Sequence, residues 1–396
     1  MILRDLEVLY VCTDPGISWR GSKGAAVHVR EICECLAREC LSLDVLVARD
    51  DGLEQAPDVP VHRLASLRES NAELAAPAEL ARRLLRETMP HLIWERYSLG
   101  GSPGLHLAVE SKADYWLEIN APLIEEAIRH RGLAPEQADE ERLRLARQLA
   151  AADVVIVVSQ SLADYALENG ARSSSIHVMP NGFSAGRFRV NDTRESLRRR
   201  WRLPADAFVV VFAGGFRPWH GIETLLAAFE RLQKELPKTW LVLAGEGPSR
   251  SSLQWRIGGL QNVLDPGHVP ADDLPFLLAA CDVGVSSTDP TAGDYFCPLK
   301  ILEYQASGLA VVSTDLPAAR AAVDGGQSGV VLRSLSAEEL CIALCRLATD
   351  PSFRRQIADA GHEKAWREGT WDRRLAKLLT DIDRTSSAVQ ARAGRR

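Results

Sequence analysis

Residues 208–248, FVVVFAGGFRPWHGIETLLAAFERLQKELPKTWLVLAGEGP, decide the fold of this chain. Phe208–Ala213 and Trp240–Ala244 are short apolar runs rich in strand-forming residues, which is typical of strands buried on both faces. Ile222–Leu236 lies between them and repeats its apolar residues at helical spacing. A strand, a glycine-containing loop, a helix and a second strand together predict one β-α-β unit of a parallel sheet.

The same alternation of strands and helices extends over the whole chain. In the first half it predicts strands at Leu6–Cys12, Leu43–Val47, Leu92–Arg96, Tyr115–Ile119, Val154–Ser159 and Ile176–Met179, and helices at Ala25–Cys40, Pro77–Arg86 and Glu140–Ala151. In the second half it adds strands at Asp282–Val285 and Leu309–Ser313, and helices at Lys300–Ala306, Ser336–Ala348 and Pro351–Lys364. The pattern predicts an α/β protein with two doubly wound domains, residues 1–185 and 186–369.

Length, charge and cysteine content argue against several classes of protein. The 396 residues suit two or three domains, and 47 Lys+Arg against 53 Asp+Glu give a net charge of −6, which argues against nucleic-acid binding. No apolar run of the sequence approaches the roughly 18 residues of a membrane span, and the N-terminus lacks a secretory pattern. The eight cysteines form no CxxC pair and no zinc pattern. We therefore expect a cytoplasmic protein without a metal site.

A run of arginines follows the boundary between the predicted domains. Seven arginines lie between Arg187 and Arg202. The pattern favours a solvated helix face. A contact with anionic lipid or phosphate, and with it a peripheral membrane contact, stays open as the alternative.

Ligands of doubly wound domains bind beyond the carboxyl ends of the strands, so the loops at that edge are the candidate sites. The first such loop, residues 14–24, contains Gly21 and Gly24, which let the backbone approach a ligand closely. Its Lys23 adds positive charge beside a helix N-terminus. From its residues alone, this loop suits a ligand site and a plain turn equally.

Two loops of the second half follow predicted strands as well. Residues 214–221, GGFRPWHG, combine two leading glycines with Arg217, whose guanidinium can hold two phosphate oxygens at once. Residues 245–250, GEGPSR, lack the third glycine of a dinucleotide fingerprint because Arg250 occupies its position. A nicotinamide-dependent dehydrogenase is therefore disfavoured.

The richest loop is residues 286–308, SSTDPTAGDYFCPLKILEYQASG. Pro298 suits the first turn of a helix, where free backbone N–H groups can hold a diphosphate. Lys300 lies in that first turn, where a cation is disfavoured unless it meets an anion. Glu303 lies three residues further on, and its carboxylate can accept both hydroxyls of a ribose. The alternative for Glu303 is an exposed helix residue.

A hydrolase-like GxSxG pattern at residues 100–104 does not predict catalysis. In that pattern the residue after the serine donates its N–H to an oxyanion. Here that residue is Pro103, which has no N–H. We therefore do not expect Ser102 to act as a nucleophile.

Residues 297–314, CPLKILEYQASGLAVVST, resemble the C-terminal signature of family 4 glycosyltransferases of the GT-B fold, which are retaining enzymes that use nucleotide-diphosphate sugars. Five further segments resemble that family in its own order: residues 14–37, DPGISWRGSKGAAVHVREICECLA; 152–162, ADVVIVVSQSL; 178–183, VMPNGF; 211–229, VFAGGFRPWHGIETLLAAF; and 241–248, LVLAGEGP. The resemblance thus extends over nearly the whole chain.

The resemblance implies two Rossmann-like domains that face a central cleft, the first binding the acceptor and the second binding the nucleotide sugar. It implies that the final helix, residues 370–384, packs back on the first domain, and that neither a metal nor a cofactor takes part. The implied donor site consists of Arg217, Lys300, Gly21, Gly24, Gly214, Gly215, Pro298 and Leu299 around the diphosphate, with Glu303 on the ribose. The expected acceptor residues are Lys23, Arg96, Tyr97 and Glu118.

Several positions depart from the family pattern. Tyr295 stands where the family has the first of two glutamates, and Asp294 beside it is our candidate for the contact with the transferred sugar. Gly215 and His220 stand where the family has an arginine and a lysine. Asn120 stands where many members have a histidine near the reacting sugar. A variant branch of the family shares the PWHG and PLK-EY patterns.

The implied reaction is retaining hexosyl transfer, in which the acceptor attacks the anomeric carbon from the leaving-group side and a diphosphate oxygen takes its proton. The catalytic roles fall to Arg217, Lys300, Asn120 and Asp294. UDP and GDP are both candidates for the nucleotide, and a small molecule or glycan is favoured over a lipid as acceptor. A phosphorylase-type enzyme of the same fold stays open, as does a catalytically silent sugar-nucleotide binding module. The sequence does not fix the oligomeric state.

Overall fold

The computed structural model describes residues 3–21, 24–50, 60–63, 89–290 and 297–393. The chain divides into two compact units, Met1–Asn181 with Trp371–Arg396 and Gly182–Thr370. Each unit contains a parallel sheet with helices between its strands, which confirms the predicted α/β fold with two Rossmann-like sheets. The helix predicted at residues 77–86 lies outside the described residues.

The strands of the first unit are β1 (Glu7–Cys12), β2 (Ser42–Val47), β3 (Val61–Arg63), β4 (Leu92–Arg96), β5 (Asp114–Ile119), β6 (Val154–Val157) and β7 (Ile176–Val178). Its helices before the second unit are α1 (Gly24–Glu39), α2 (Pro103–Ser111), α3 (Leu123–Arg131), α4 (Pro135–Ala151) and α5 (Gln160–Glu168). The strand order is β3-β2-β1-β4-β5-β6-β7, and these neighbours pair in parallel. Every residue of β4 is buried, as expected for a central strand covered on both faces.

The strands of the second unit are β8 (Phe208–Ala213), β9 (Thr239–Ala244), β10 (Val263–Gly267), β11 (Val283–Ser286), β12 (Ala310–Thr314) and β13 (Val330–Leu332). Its helices are α6 (Ala185–Phe188), α7 (Arg194–Arg200), α8 (Ile222–Glu235), α9 (Arg250–Gly258), α10 (Leu274–Ala279), α11 (Leu299–Ala306), α12 (Pro317–Ala322), α13 (Ala337–Thr349) and α14 (Pro351–Glu368). The strand order β10-β9-β8-β11-β12-β13 reverses direction between β8 and β11. Ligands of such sheets bind at this switch point.

The final helix, α15 (Trp371–Ala393), belongs to the first unit. The apolar face that includes Trp371 and Leu375 joins the same core as α1. The Trp371 indole N–H donates to Glu31 over 2.6 Å, and Asp372 pairs with Arg38 over 2.7 Å. The chain therefore returns to the first unit after completing the second.

The GxSxG segment, residues 100–104, leads into α2, and the carboxylate of Glu95 binds the backbone N–H groups at the start of this helix. Glu95, which is buried in β4, accepts hydrogen bonds from the backbone N–H groups of Gly104 and Leu105 over 2.9 and 3.2 Å. Tyr115 and Gln148 donate to the same carboxylate. The free N–H groups of the helix thus hold Glu95, which explains this segment without a catalytic serine.

The arginine run is not uniformly solvated, contrary to the sequence-based expectation. The Arg198 side chain is buried, pairs with Asp282 over 2.8 Å and donates to the carbonyl oxygens of Ala205 and Ala280. Arg194 pairs with the second oxygen of Asp282 over 3.0 Å. The contacts of Arg194 and Arg198 therefore hold α7 in place within the second unit. The sequence could not indicate this role because Asp282 lies more than 80 residues away.

In the part of the chain that the structure describes, no helix is both long enough and apolar enough to cross a membrane.

Candidate active site

The second unit holds a buried amine at the carboxyl edge of its sheet. Lys300 lies in the first turn of α11, and its Nζ is buried without a hydrogen-bond partner among the described residues. The Phe212 ring centroid lies 4.6 Å from this Nζ. Burial lowers the pKa of Lys300 to about 8, although the nearby Glu303 carboxylate opposes this shift. The amine therefore has no hydrogen-bond acceptor among the described residues, at the place where the sequence predicted a phosphate contact.

Glycines make room around this amine. Gly214 has a φ of +146°, and a Cβ built on it would lie 3.5 Å from Lys300 Nζ. Gly221 has a φ of +61°, and a Cβ there would overlap the carbonyl oxygen of Ser287. The loop between β8 and α8 therefore lies against the end of β11, and the backbone of Gly214 lies beside the Lys300 amine. Only glycine tolerates these conformations without strain.

His220 lies in the same loop, and its tautomer follows from its partner. Its Nδ1 contacts the Gly215 carbonyl oxygen, which only accepts, so Nδ1 carries the proton. Burial, together with the charges of Lys300 and Arg217, lowers the pKa of His220 to about 3, against the effect of that hydrogen bond. His220 is therefore neutral, with Nε2 as an acceptor.

Arg217 supplies a second cation near this loop. Its side chain is exposed and stacks on Trp219, with the guanidinium carbon 5.9 Å from the ring centroid. Within the described residues, no carboxylate pairs with this guanidinium. A cavity of about 180 Å³ lies between Trp219, His220, Lys300 and the ends of β11 and β12.

Helix α11 begins just after Pro298, so this proline lies at the N-cap and not in the first turn, where the sequence analysis placed it. Pro298 precedes the first helical residue, Leu299, and no described side chain caps this end. Glu303 is half-buried one turn further along the helix. The positive end of the helix and the Lys300 amine thus lie together. This arrangement can hold a diphosphate without a metal ion. Among the described residues, no group of three or more His, Cys, Asp or Glu side chains could hold a metal.

The first unit contains a buried carboxylate near the end of β5. Glu118 accepts hydrogen bonds from His28 Nε2 over 2.5 Å, Trp94 Nε1 over 2.8 Å, Tyr10 Oη over 3.1 Å and Arg96 Nη1 over 3.2 Å. Burial alone would raise the pKa of Glu118, but the charges and hydrogen bonds of its neighbours lower it to about 2. Glu118 is therefore ionised and surrounded by donors.

The remaining residues predicted for the first unit lie near this edge of the sheet or in the preceding loop. Tyr97 is buried directly after β4, and its hydroxyl has no partner among the described residues. Asn120 directly follows β5, and its Oδ1 is buried without a hydrogen-bond partner among the described residues. The Gly21 N–H donates to the carbonyl oxygen of Ser18. A Cβ built on Gly24 would have no other atom within 4 Å. Lys23 and Asp294 lie outside the described residues.

Sequence reasoning missed His28 and Asn181. His28 Nε2 contacts Glu118, and its Nδ1 lies 2.9 Å from Asn181 Oδ1. The two residues are 153 positions apart, so only the fold brings them together. The signal available in the sequence was the presence of polar residues in segments that otherwise have an apolar pattern.

The fold and the family models agree on the class of this protein. Residues 23–182 match the family described as "Glycosyl transferase 4-like domain", and residues 207–350 match "Glycosyl transferases group 1". The chain therefore belongs to the family 4-type glycosyltransferases of the GT-B fold. This confirms the resemblance drawn from residues 297–314 and the prediction that the protein is a glycosyltransferase.

Two curated relatives show which members of the family this chain is similar to. It is 28% identical to a D-inositol 3-phosphate glycosyltransferase of Saccharomonospora viridis, over 98% of this chain and 95% of the relative. It is 30% identical to a GDP-mannose-dependent alpha-(1-6)-phosphatidylinositol monomannoside mannosyltransferase of Mycolicibacterium smegmatis, over 58% of this chain and 62% of the relative.

Solved structures share the fold at lower sequence identity. HepE of Anabaena, determined with UDP-glucose, superposes with a TM-score of 0.69 at 19% identity, covering 98% of this chain and all of HepE. Sucrose-phosphate synthase of Thermosynechococcus elongatus superposes with a TM-score of 0.71 at 20% identity, covering 97% of this chain and all of that protein.

Proposed function

We propose that this protein is a retaining glycosyltransferase that moves a hexosyl group from a nucleotide-diphosphate sugar to a hydroxyl acceptor. The observation that carries the proposal is the buried amine of Lys300, which has no hydrogen-bond partner among the described residues and lies at the uncapped start of α11. A buried cation that no hydrogen bond satisfies is costly unless a ligand supplies an acceptor. A diphosphate bound at the helix N-terminus supplies it.

The donor site lies in the second unit. Lys300 and Arg217 neutralise the diphosphate, while the backbone near Gly214, Gly215, Pro298 and Leu299 approaches it. Glu303 accepts the ribose hydroxyls, and the backbone at Gly21 and Gly24 is a further proposed contact of the donor. These cations replace a divalent ion, so the reaction is metal-independent and uses no cofactor. The nucleotide is UDP or GDP: one neighbour is named with UDP-glucose and one relative is named for GDP-mannose.

The acceptor binds to the first unit, where Lys23, Arg96, Tyr97 and Glu118 form or support its site. It is a small soluble molecule with a hydroxyl nucleophile. The name of the relative that matches along 98% of this chain, D-inositol 3-phosphate glycosyltransferase, supports an acceptor of this size and polarity. We also propose a cytoplasmic location for the protein.

The reaction is a displacement on one face of the sugar. The acceptor oxygen forms a bond to the anomeric carbon while the bond from that carbon to the diphosphate oxygen breaks. The acceptor proton moves to an oxygen of the departing diphosphate, so no separate base is required. Lys300 and Arg217 stabilise the charge that develops on the leaving group, and Asn120 and Asp294 orient the sugar and the acceptor.

A ligand panel tests the proposed function. The protein is melted with UDP, GDP, ADP, dTDP and NAD, each with EDTA and with magnesium. A ligand that binds only the folded state raises the melting temperature. We expect UDP or GDP to do so equally with and without magnesium. The matching UDP- or GDP-hexose is then incubated with D-inositol 3-phosphate, and NMR of the product should show the donor's anomeric configuration.

Other outcomes of this panel would replace the proposal. Inversion at the anomeric carbon would contradict the retaining mechanism. Turnover that requires inorganic phosphate would indicate a phosphorylase-type enzyme. Nucleotide binding without turnover on any acceptor would indicate a silent binding module.

A further inference from the structure

One cysteine of the second unit lines the cavity that also contains Lys300. All eight cysteines belong to the described residues, and none forms a disulfide. Five of them are buried: Cys12, Cys33, Cys35, Cys281 and Cys341. The other three are half-buried: Cys40, Cys297 and Cys345. Of these three, Cys297 lines the cavity of about 180 Å³, as Lys300 and His220 do. The candidate donor site therefore includes a thiol.

The backbone places this thiol at the positive end of a helix. The N–H of Leu299, the first residue of α11, donates to the carbonyl oxygen of Cys297 over 2.8 Å. This hydrogen bond keeps Cys297 beside the first turn of α11, whose N-cap residue, Pro298, offers no side-chain cap. A helix N-terminus favours an anion, so a cysteine there ionises more readily. The position therefore favours the thiolate, which is the reactive form of cysteine.

The Lys300 amine is a second and independent feature that favours an anion here. Its Nζ is buried without a hydrogen-bond partner among the described residues, and Lys300 lines the same cavity as Cys297. A buried ammonium group without an acceptor indicates that an anion belongs in this cavity. The same positive charge lowers the cost of a thiolate at Cys297. The helix end and the amine thus favour ionisation of one particular thiol.

The other two half-buried cysteines have different surroundings. Cys345 donates its S–H to a carboxylate oxygen of Glu235 over 3.7 Å. Burial raises the pKa of Cys345, and the Glu235 carboxylate adds to this effect. Cys40 donates to the carbonyl oxygen of Ser42 over 3.2 Å, and burial raises its pKa as well. Both thiols stay protonated near neutral pH, so they are matched controls for Cys297.

We propose that Cys297 is a site of reversible modification by acidic low-molecular-weight disulfides, and that the group it acquires blocks the donor cavity. The thiol first loses its proton to water. The thiolate Sγ then attacks one sulfur of the disulfide, so that a new S–S bond forms and the other half leaves as a thiolate. The disulfide is the oxidant, and an added thiol reverses the exchange. An acidic disulfide is favoured because Lys300 and the end of α11 attract its carboxylates.

This inference rests on the proposed donor site and adds a way in which that site is closed. Because Cys297 and Lys300 line one cavity, a group bonded to Sγ takes up space that the diphosphate requires. The carboxylates of that group also offer acceptors to Nζ in place of the phosphate oxygens. Modification of Cys297 should therefore weaken the binding of UDP or GDP.

Labelling of the full-length protein tests the reactivity of Cys297. The wild type is incubated with oxidised glutathione, an acidic disulfide, and each cysteine is quantified by peptide mass spectrometry. We expect Cys297 to react about tenfold faster than Cys40 and Cys345, because the rate follows the fraction of thiolate. The ratio of the rates at Cys297 and Cys40 should be lower with cystamine, a disulfide that carries amino groups. Equal rates at the three cysteines, or an equal or higher ratio with cystamine, would overturn the proposal.

The variant Lys300→Met tests the source of the reactivity. Without the amine, labelling of Cys297 by oxidised glutathione should slow by about tenfold, while Cys40 and Cys345 keep their rates. Lys234→Met removes an exposed amine of α8 and should leave the rate at Cys297 unchanged. An unchanged rate at Cys297 in Lys300→Met would overturn the proposal.

Nucleotide titration tests the blockage of the cavity. The wild type modified at Cys297 should lose about tenfold or more in affinity for UDP or GDP, and dithiothreitol should restore the affinity. Cys297→Ser should keep its affinity after the same treatment, whereas Cys345→Ser should lose affinity as the wild type does. Equal affinity of the wild type before and after modification would overturn the proposal. If the unmodified protein binds no nucleotide, the proposed function fails, whereas the labelling rates still decide on the reactivity of Cys297.

Discussion

Glu118 in the first unit and Lys300 in the second are both buried charged groups near the carboxyl edge of a parallel sheet, yet their surroundings differ. Glu118 accepts hydrogen bonds from His28, Trp94, Tyr10 and Arg96, which lie on three elements. Lys300 Nζ has no hydrogen-bond partner among the described residues. Removing a charge that is satisfied internally leaves its partners uncompensated, whereas a charge left unsatisfied costs stability until a ligand arrives. The comparison separates a framework group from a binding group.

The largest effect is expected from removing the framework charge. Glu118→Leu leaves His28 and Arg96 without their shared anion and removes the acceptor of Tyr10 and Trp94. Breaking a buried pair from one side costs about 3–5 kcal/mol. Urea unfolding should show this loss, while Glu168→Leu at the exposed end of α5 should change stability by less than about 0.5 kcal/mol. Equal stability of Glu118→Leu and the wild type would contradict the framework role of Glu118.

Removing the charge of Lys300 is expected to change the stability in the opposite direction. Lys300→Met removes the unsatisfied charge and keeps the apolar contact with Phe212. The melting temperature of the unliganded protein should rise, by about 2–4 °C for each kcal/mol gained. At the same time kcat/KM should fall by about a hundred- to a thousandfold, because the group proposed to stabilise the leaving diphosphate is lost. Lys234→Met, an exposed substitution on α8, serves as the control and should change neither quantity.

The pH dependence of the Lys300 charge sharpens the same contrast. The folded-state pKa of about 8 lies below the ordinary value of 10.5, so between these values the unfolded chain binds more protons than the folded protein. The stability of the unliganded wild type should therefore increase from pH 8 to pH 10.5 relative to Lys300→Met. Nucleotide affinity should decrease over the same range, because the proposed contact with the diphosphate requires the charged amine. If the stability and the nucleotide affinity both increased or both decreased over this pH range, the proposed role of Lys300 would be contradicted.

A smaller effect is expected at the first glycine-rich loop. A Cβ at Gly24 meets no other atom within 4 Å, so Gly24→Ala has no steric cost in the unliganded protein. If the backbone approaches the donor there, the methyl group should raise the donor KM by about tenfold, which corresponds to about 1.4 kcal/mol. Gly258→Ala, whose Cβ also meets open space, is the matched control. Unchanged KM in Gly24→Ala would exclude this loop from the donor site.

The regular alternation of strands and helices made the α/β fold predictable. The strand at Phe208–Ala213 was predicted with its observed bounds, because a continuous apolar run bounded by glycine has few alternatives. Strands β3, β10 and β13 were missed because each is short or mixed in polarity. Helix α4 begins at Pro135 rather than Glu140, since proline suits the first turn and its polar first residues hide the helical period.

The candidate site was predictable only where neighbours in sequence are neighbours in space. Lys300 and Glu303 lie on one helix and Pro298 directly precedes it, so their spacing indicated their relation. The partners of Glu118 are spread over α1, β1 and β4, and no local pattern could join His28 to it. The roles assigned to Arg96 and Glu118 as acceptor residues stay predictions. Their mutual hydrogen bond adds a structural role to them.

Calorimetric titration of UDP and GDP into the wild type and Lys300→Met, in EDTA, tests the central claim most directly. The unsatisfied Lys300 amine is the proposed anchor of the donor diphosphate. One of the two nucleotides should bind the wild type without metal, and the same nucleotide should lose at least a hundredfold in affinity with the variant. Equal affinity of the wild type and Lys300→Met for that nucleotide would contradict the claim.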